Sequence, residues 1–401
     1  MSIHDIPLSN KVVGIQPSAI REILKFTSDP EVISFAAGNP APEAFPTKEI
    51  ANITAELFAN DPILALQYNI TEGYTPLREH LKGVLKAIDC FRPEIDELIV
   101  TSGAQQANEL ACKVLCNEGD TILCEAPSFI GSLNAFKSYN VNIKGIEVQN
   151  DGINIEKLEE ALKQDANCKL IYLIPNFQNP TGITTSFEKR KEIYRLAQKY
   201  NVFILEDNPY GRLRFKGEEV PSIKSLDTDG RVIYTGSFSK ILSPGLRVGY
   251  VSGLKEVVQK MIVCKQVADV HTTILSQLIC YQYITQTDME ERFKQLREIY
   301  RKKCNLMLDE MKKNFSSKIV CNGTEGGLFL WCTLPQDCDM NAFCTQAVSK
   351  YKVAVVPGNA FLTDDTQKTT SFRMNYSTPT DEQIVKGCQM LGKLSKELFG
   401  E

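Results

Sequence analysis

No apolar run in this chain reaches the length that a membrane-spanning helix requires, and its first residues, MSIHDIPLSNKVVGIQPS, lack the charged-then-apolar layout of a secretory signal. The expectation is a cytoplasmic protein with no membrane partner. An excess of positive charge is missing as well. The net charge is −4, and Lys and Arg are scattered rather than gathered in a block or on one helical face, which speaks against nucleic acid as a partner. Internal repeats, low-complexity tracts and flexible linkers are absent, so neither a repeat array nor a disordered spacer has to be accounted for. Histidine is scarce, with three residues in 401, and none lies near Cys112 and Cys116, the closest pair among thirteen cysteines. That pair falls on helix-patterned sequence, and Cys124, Cys264, Cys280 and Cys332 sit in apolar stretches where cysteine behaves as a small buried hydrophobe. An odd number of cysteines so placed predicts reduced thiols and no metal site.

What is present is a rhythm. A length of 401 residues exceeds what one typical core supports, so two compact units are expected. From about residue 97 short β-rich runs recur, ELIVTS, TILCE, VNIKGIEV, KLIYLI, VFILED, RVIYTGS and RVGYVSG, each ending in turn signals. Helix-patterned segments such as AQQANELACKVLC and SFEKRKEIYRLAQKY lie between several of them. This alternation predicts an α/β fold with a mostly parallel sheet of seven strands covered by helices. The long amphipathic stretch DMEERFKQLREIYRKKCNLMLDEMKKNF follows, and SKIVC, GGLFLWCTL, KVAVVPG and SFRMNYS then read as a smaller α+β unit. The expected division is an arm and part of the small unit over 1–45, a large unit over 46–290 and the rest of the small unit over 291–401.

Ligands of such sheets gather at the carboxyl ends of the strands. TSGAQQAN follows a strand and opens a helix, so Gly103, Ala104 and Gln105 offer free backbone N–H groups to an anion. LIPNFQNPTG ends a second strand in a Pro-Asn turn followed by an Asn-Pro-Thr-Gly turn. FILEDNPYG ends a third with Asp207, which needs a partner if buried, and Tyr210. YTGSFSK brings Ser237, Ser239 and Lys240 past a fourth, and Arg247 begins the next strand. A lone buried lysine is ordinarily a salt-bridge partner. Together, however, these groups suit a pyridine ring bearing a phosphate, a phenolic oxygen and an aldehyde that condenses with lysine.

The ordered motifs LQYNITEGYTPLREHL, TSGAQQA, PNFQNPTG, EDNPYG, SFSKILSPGLRVGY and FRMNYS resemble those of the pyridoxal 5'-phosphate-dependent aminotransferases of fold type I, class I/II, over nearly the whole chain. The start, PSAIREILKFT to ISFAAGNPAPEAFP, looks like the branch holding 2-aminoadipate and kynurenine/aminoadipate aminotransferases. The resemblance implies a ping-pong transfer of the α-amino group from an L-amino acid to a 2-oxo acid. The implied donor is 2-aminoadipate, an aromatic or another bulky amino acid, and the implied acceptor is 2-oxoglutarate. It also implies a homodimer whose active sites are completed by the neighbouring subunit. Lys240 would bond the cofactor's aldehyde and later shuttle a proton. Asp207 would keep the ring nitrogen protonated, and Tyr210 and Asn179 would hydrogen-bond the phenolic oxygen. Ser237, Ser239, Arg247 and the turn Gly103-Ala104-Gln105 would hold the phosphate, joined by Tyr68 from the neighbouring subunit.

Phe129 would stack on the ring, and Arg373 would clamp the substrate α-carboxylate, with Asn179 and Gly38 beside it. Arg21 matches an arginine that reaches a distal carboxylate in aminoadipate-type enzymes, or else it is a solvated helix-face residue. His271 reads either as a residue entering the site across a dimer or as a structural histidine. Departures from the family pattern are Ala104 in place of Ser or Thr, and AAGNP in place of AGGLP, where Ala37 and Asn39 border the substrate. A β-eliminating enzyme of cysteine-S-conjugate type would use the same lysine and aspartate, and remains the alternative. The effector-binding half of a bacterial transcription regulator, a third reading, would need a helix-turn-helix unit ahead of PSAIREIL.

Overall fold

Runs rich in Val, Ile and Leu, buried on both faces, build the main sheet. The computed structural model describes residues 9–13, 29–364 and 367–400. In chain order a short β1 (Ile33–Ser34) precedes the strands of the main sheet: β2 (Asp96–Thr101), β3 (Thr121–Ala126), β4 (Asn142–Gln149), β5 (Gly152–Ile153), β6 (Cys168–Leu173), β7 (Phe203–Asp207), β8 (Val232–Ser237) and β9 (Gly249–Leu254). Their spatial order is β2-β9-β8-β7-β6-β3-β4-β5. The pairs β4–β3, β3–β6, β6–β7 and β7–β8 are parallel, whereas β8–β9, β9–β2 and β4–β5 are antiparallel. The sheet therefore has eight strands where the pattern predicted seven. The extra one, β5, is a two-residue return onto the end of β4, too short to carry a period-two signal.

Helices occupy the crossovers. Ala104–Leu115 links β2 to β3 and packs across β7, β8 and β9, burying Ala107, Asn108, Leu110, Ala111 and Cys112. Phe187–Tyr200 links β6 to β7; Ser186 caps its start by accepting from the Lys189 N–H, and Asn201 ends it in the left-handed region at φ 53°. The parallel strands β6, β7 and β8 thus deliver their carboxyl ends to one edge, beside the start of Ala104–Leu115. The turn that follows β6, the end of β7 and the end of β8 supply Asn179, Asp207 and Ser237 there.

The long helix runs over Met289–Asn314, capped by Asp288, which accepts from the N–H groups of Glu290 and Glu291. It buries Phe293, Leu296, Tyr300, Cys304, Met307 and Met311 at three- and four-residue spacing, largely against the helix Asp381–Phe399. Burying each Phe, Leu or Met of this set contributes about 1.5–3 kcal/mol. The second sheet is antiparallel, ordered β10 (Val320–Asn322), β11 (Phe329–Thr333), β14 (Ser371–Asn375) and β13 (Val356–Pro357). β12 (Val353–Ala354) pairs in parallel with β1, which ties the segment before residue 45 to the C-terminal elements. All thirteen cysteines are free. Among the described residues no helix is long and apolar enough to cross a membrane.

Candidate active site

β7 carries a carboxylate into the interior. Asp207 is 3% exposed, and its Oδ2 accepts from Asn108 Nδ2 at 2.7 Å and from the Tyr172 hydroxyl at 2.9 Å. Its Oδ1 is equally buried and has no partner. Burial pushes the carboxyl up to about 6, against the pull of its two donors. An orphaned acceptor in such a place calls for a donor that the chain does not supply.

β8 ends in Ser237, whose Oγ accepts from the Ser239 N–H at 3.1 Å, and Lys240 follows. The Lys240 ammonium donates to the Gly38 carbonyl at 2.7 Å and meets no carboxylate among the described residues. Burial, joined by the positive charges of Arg373 and Arg247, lowers it to about 8. Arg247 stands at φ 54° after the turn Pro244–Leu246, and its guanidinium donates to the carbonyls of Pro244 and Ser102, each at 3.2 Å. That reach depends on Gly103, at φ 81°: a Cβ there would collide with the guanidinium. Gly249 likewise leaves room for the N–H of Ala104, since a Cβ would stand 2.7 Å from it. Guanidinium and helix start therefore share one patch, with the first-turn N–H groups of Ala104 and Gln105 beside it.

β14 contributes Arg373, 2% exposed, which donates to Asn179 Oδ1 and to the Ala36 carbonyl, each at 2.8 Å. Its Nε is buried without a partner. The guanidinium carbon lies 4.2 Å from the centre of the Phe329 ring and 4.9 Å from that of Phe361, a sandwich that holds a cation with no carboxylate nearby. Burial brings it down to about 10, which leaves it charged at neutral pH. Tyr210 meets Phe329 edge-on at 6.0 Å, and burial raises its phenol above the ordinary range, opposed by Arg373 and by a hydrogen bond with Asn179. Gly38 faces the same ring; a Cβ on it would lie 3.3 Å from Phe329 Cζ.

Phe129 is half-buried ahead of the helix Ile130–Lys137, and Gly131 leaves room for its ring and for the Gln105 side chain, whose Nε2 donates to the Gly131 carbonyl at 2.8 Å. The chain thus brings together Gly38, Gly103, Ala104, Gln105, Phe129, Asn179, Asp207, Tyr210, Ser237, Ser239, Lys240, Arg247 and Arg373. Tyr68 stands apart, 79% exposed, its ring edge-on to His271 at 5.8 Å. Arg21 lies outside the described residues. Four further residues belong to the site's walls: Asn108, Tyr172, Phe329 and Phe361. Their signals were faint: a tyrosine inside the strand run KLIYLI requires a hydroxyl partner, whereas Phe329 in GGLFLW reads as ordinary core.

These residues fit pyridoxal 5'-phosphate. The unpartnered Asp207 Oδ1 suits a protonated ring nitrogen, Lys240 suits an aldehyde, and the patch at Gly103 and Arg247 suits a phosphate. Residues 30–391 match the family model "Aminotransferase class I and II". The chain is 39% identical to aromatic-amino-acid aminotransferase 1 of Thermococcus litoralis, covering 97% of this chain and 94% of the relative. It is 36% identical to 2-aminoadipate transaminase of Thermus thermophilus, covering 96% and 95%. It superposes on the kynurenine aminotransferase of Pyrococcus horikoshii, solved in complex with PMP, KYN as substrates and KYA as products, at a TM-score of 0.92 with 35% identity, covering 98% of this chain and 97% of that one. All three are named as aminotransferases or transaminases, which supports transamination and not the β-eliminating alternative. A lysine without a counter-ion, an aspartate with a spare oxygen and these likenesses lead to one assignment: the chain belongs to the class I and II aminotransferases and is a pyridoxal 5'-phosphate-dependent transaminase.

Proposed function

We propose that this transaminase takes aromatic amino acids and 2-aminoadipate as donors and 2-oxoglutarate as acceptor. The observation that carries this reading is Arg373, a buried cation flanked by Phe329 and Phe361, which offers a carboxylate partner inside an aromatic wall. When bound, the cofactor supplies an electron sink and a carrier for the amino group. The Lys240 amine, held by the Gly38 carbonyl, would hold the cofactor by its aldehyde and would take and return the substrate's α-proton. Asp207, through its unpartnered Oδ1, would keep the ring nitrogen protonated. Asn179, with its carbonyl committed to Arg373, keeps its N–H donors for the phenolic oxygen, alongside the Tyr210 hydroxyl.

Arg247, Ser237, Ser239 and the N–H groups of Gly103, Ala104 and Gln105 hold the phosphate, and Phe129 covers one ring face. Arg373 orients the substrate by its α-carboxylate, with Gly38 and Asn179 beside it. An exposed apolar band of Ile63, Leu66, Tyr68 and Ile70 with Val263, Val267 and Val270 supports a homodimer in which Tyr68 completes the neighbour's phosphate site. The pairing of β1 with β12 supports a division into a large unit over 46–290 and a small one built from 1–45 and 291–401. Thirteen free thiols favour a cytoplasmic location. The test is a panel of amino donors assayed with 2-oxoglutarate. Phenylalanine, tyrosine, kynurenine and 2-aminoadipate should lead it in kcat/KM, and a panel led by alanine or aspartate would overturn the substrate reading.

A further inference from the structure

Both donors to Asp207 reach the same oxygen. Oδ2 takes the Tyr172 hydroxyl at 2.9 Å and Asn108 Nδ2 at 2.7 Å, while Oδ1 takes nothing. The donors are themselves fixed. Asn108 Nδ2 also donates to Ser132 Oγ at 3.1 Å, and the fully buried Tyr172 ring packs edge-on against Phe136 at 5.2 Å. β6, the helix Ala104–Leu115 and the helix Ile130–Lys137 thus determine how the carboxylate is turned. A symmetric arrangement, one donor per oxygen, would have satisfied the carboxylate and closed the position that a ligand needs.

We propose that Tyr172 and Asn108 are positioning residues that keep Asp207 ionised and leave its Oδ1 aimed at the ring nitrogen, so that cofactor affinity itself depends on them. This rests on the reading of Asp207 as the ring-nitrogen partner. The neighbourhood offers no substitute. The titratable groups facing Asp207 are Tyr172 on β6, Glu125 on β3 and Tyr210 after β7, none of them a cation. Burial pushes Glu125 up to about 8, so at neutral pH it is largely neutral and leaves the negative charge to Asp207. With the Asp207 carboxyl near 6, removing a hydrogen bond to a charged group moves its midpoint about one unit higher, toward neutrality.

The test uses the full chain stripped of cofactor and titrated with pyridoxal 5'-phosphate or with its deaza analogue, in which CH replaces the ring nitrogen. Quenching of Trp331, the single tryptophan, reads binding beside the site, since its ring lies 5.9 Å from Phe361. Tyr172→Phe should weaken pyridoxal phosphate about tenfold and leave the analogue within about twofold. The deficit should shrink from about pH 6.5 to about pH 8.5, as the carboxylate regains its charge. Asn108→Leu, nearly isosteric, should repeat the pattern and stands in if Tyr172→Phe folds poorly. Equal loss for both ligands would mean a structural role only, and no loss for either would mean none; each overturns the proposal. Asp207→Asn separates the two levels. If it too fails to distinguish the ligands, the reading of Asp207 falls; if it distinguishes them and Tyr172→Phe does not, only this inference falls.

Discussion

Lys224 and Lys240 lie sixteen residues apart in sequence, both between β7 and β9, and they have opposite surroundings. The Lys224 ammonium donates to Asp96 Oδ1, to Asp227 Oδ2 and to the Val232 carbonyl, each at 2.9 Å, and Arg92 adds a further contact to Asp227 at 2.9 Å. Three protons meet three acceptors, two of them buried carboxylates, so this lysine is scaffold. Lys240 has one neutral acceptor and faces two arginines. A buried amine is therefore not reactive by virtue of burial. It becomes a nucleophile where the fold withholds the counter-ion, because only there is the neutral amine favoured near physiological pH.

The sharpest way to break the comparison is to remove each lysine in turn. Lys240→Ala should lower transamination by at least about 10³-fold and abolish the visible band of the bound cofactor, with little change in a urea unfolding curve. Lys224→Met should do the reverse. It leaves Arg92 as the remaining cation beside Asp96 and Asp227 among the described residues, costs about 3–5 kcal/mol in the same unfolding experiment, and leaves turnover per folded molecule nearly unchanged. Arg373→Lys comes next. A single ammonium cannot present two parallel donors, so KM should rise about tenfold or more for amino and oxo acids alike, with cofactor affinity preserved.

Smaller effects follow pH. Because the Lys240 amine sits near 8 in the ligand-free chain, the rate of cofactor uptake should climb as pH rises through about 8 and then level off. A rate still climbing steeply at pH ~10 would place Lys240 with the ordinary lysines. Glu125 gives the mildest signal. Its folded value is raised above its ordinary 4.5 to about 8, so the folded chain holds a proton that the unfolded chain releases, and wild-type stability falls as pH rises across that window. Glu125→Gln removes that fall, so the Tm gain of the variant should grow from pH 5 to pH 8; parallel curves would contradict the assignment.

How much of this was legible in the sequence follows the range of the interactions. Asp207, Ser237 and Lys240 were found because β-rich runs and their turn signals are local, and chemistry collects where such strands end. Asn108 and Tyr172 were missed because their meaning lies in a contact with Asp207, residues 99 and 35 positions away along the chain. Phe329 and Phe361 were missed for a related reason: an apolar residue in an apolar stretch reads as core, and only the placement of Arg373 against both rings changes that. The eighth strand, β5, escaped because two residues cannot show a period. Tyr68 poses the opposite problem: the role proposed for its exposed ring requires a second chain.

The central claim is that Lys240, and no other lysine, carries the cofactor. Hydride reduction of the cofactor-loaded protein, followed by tryptic mapping and mass spectrometry, tests it in one measurement. The account predicts the phosphopyridoxyl mass on Lys240 alone, while a tag on Lys224, or one spread over surface lysines with Lys240 unmodified, would contradict it.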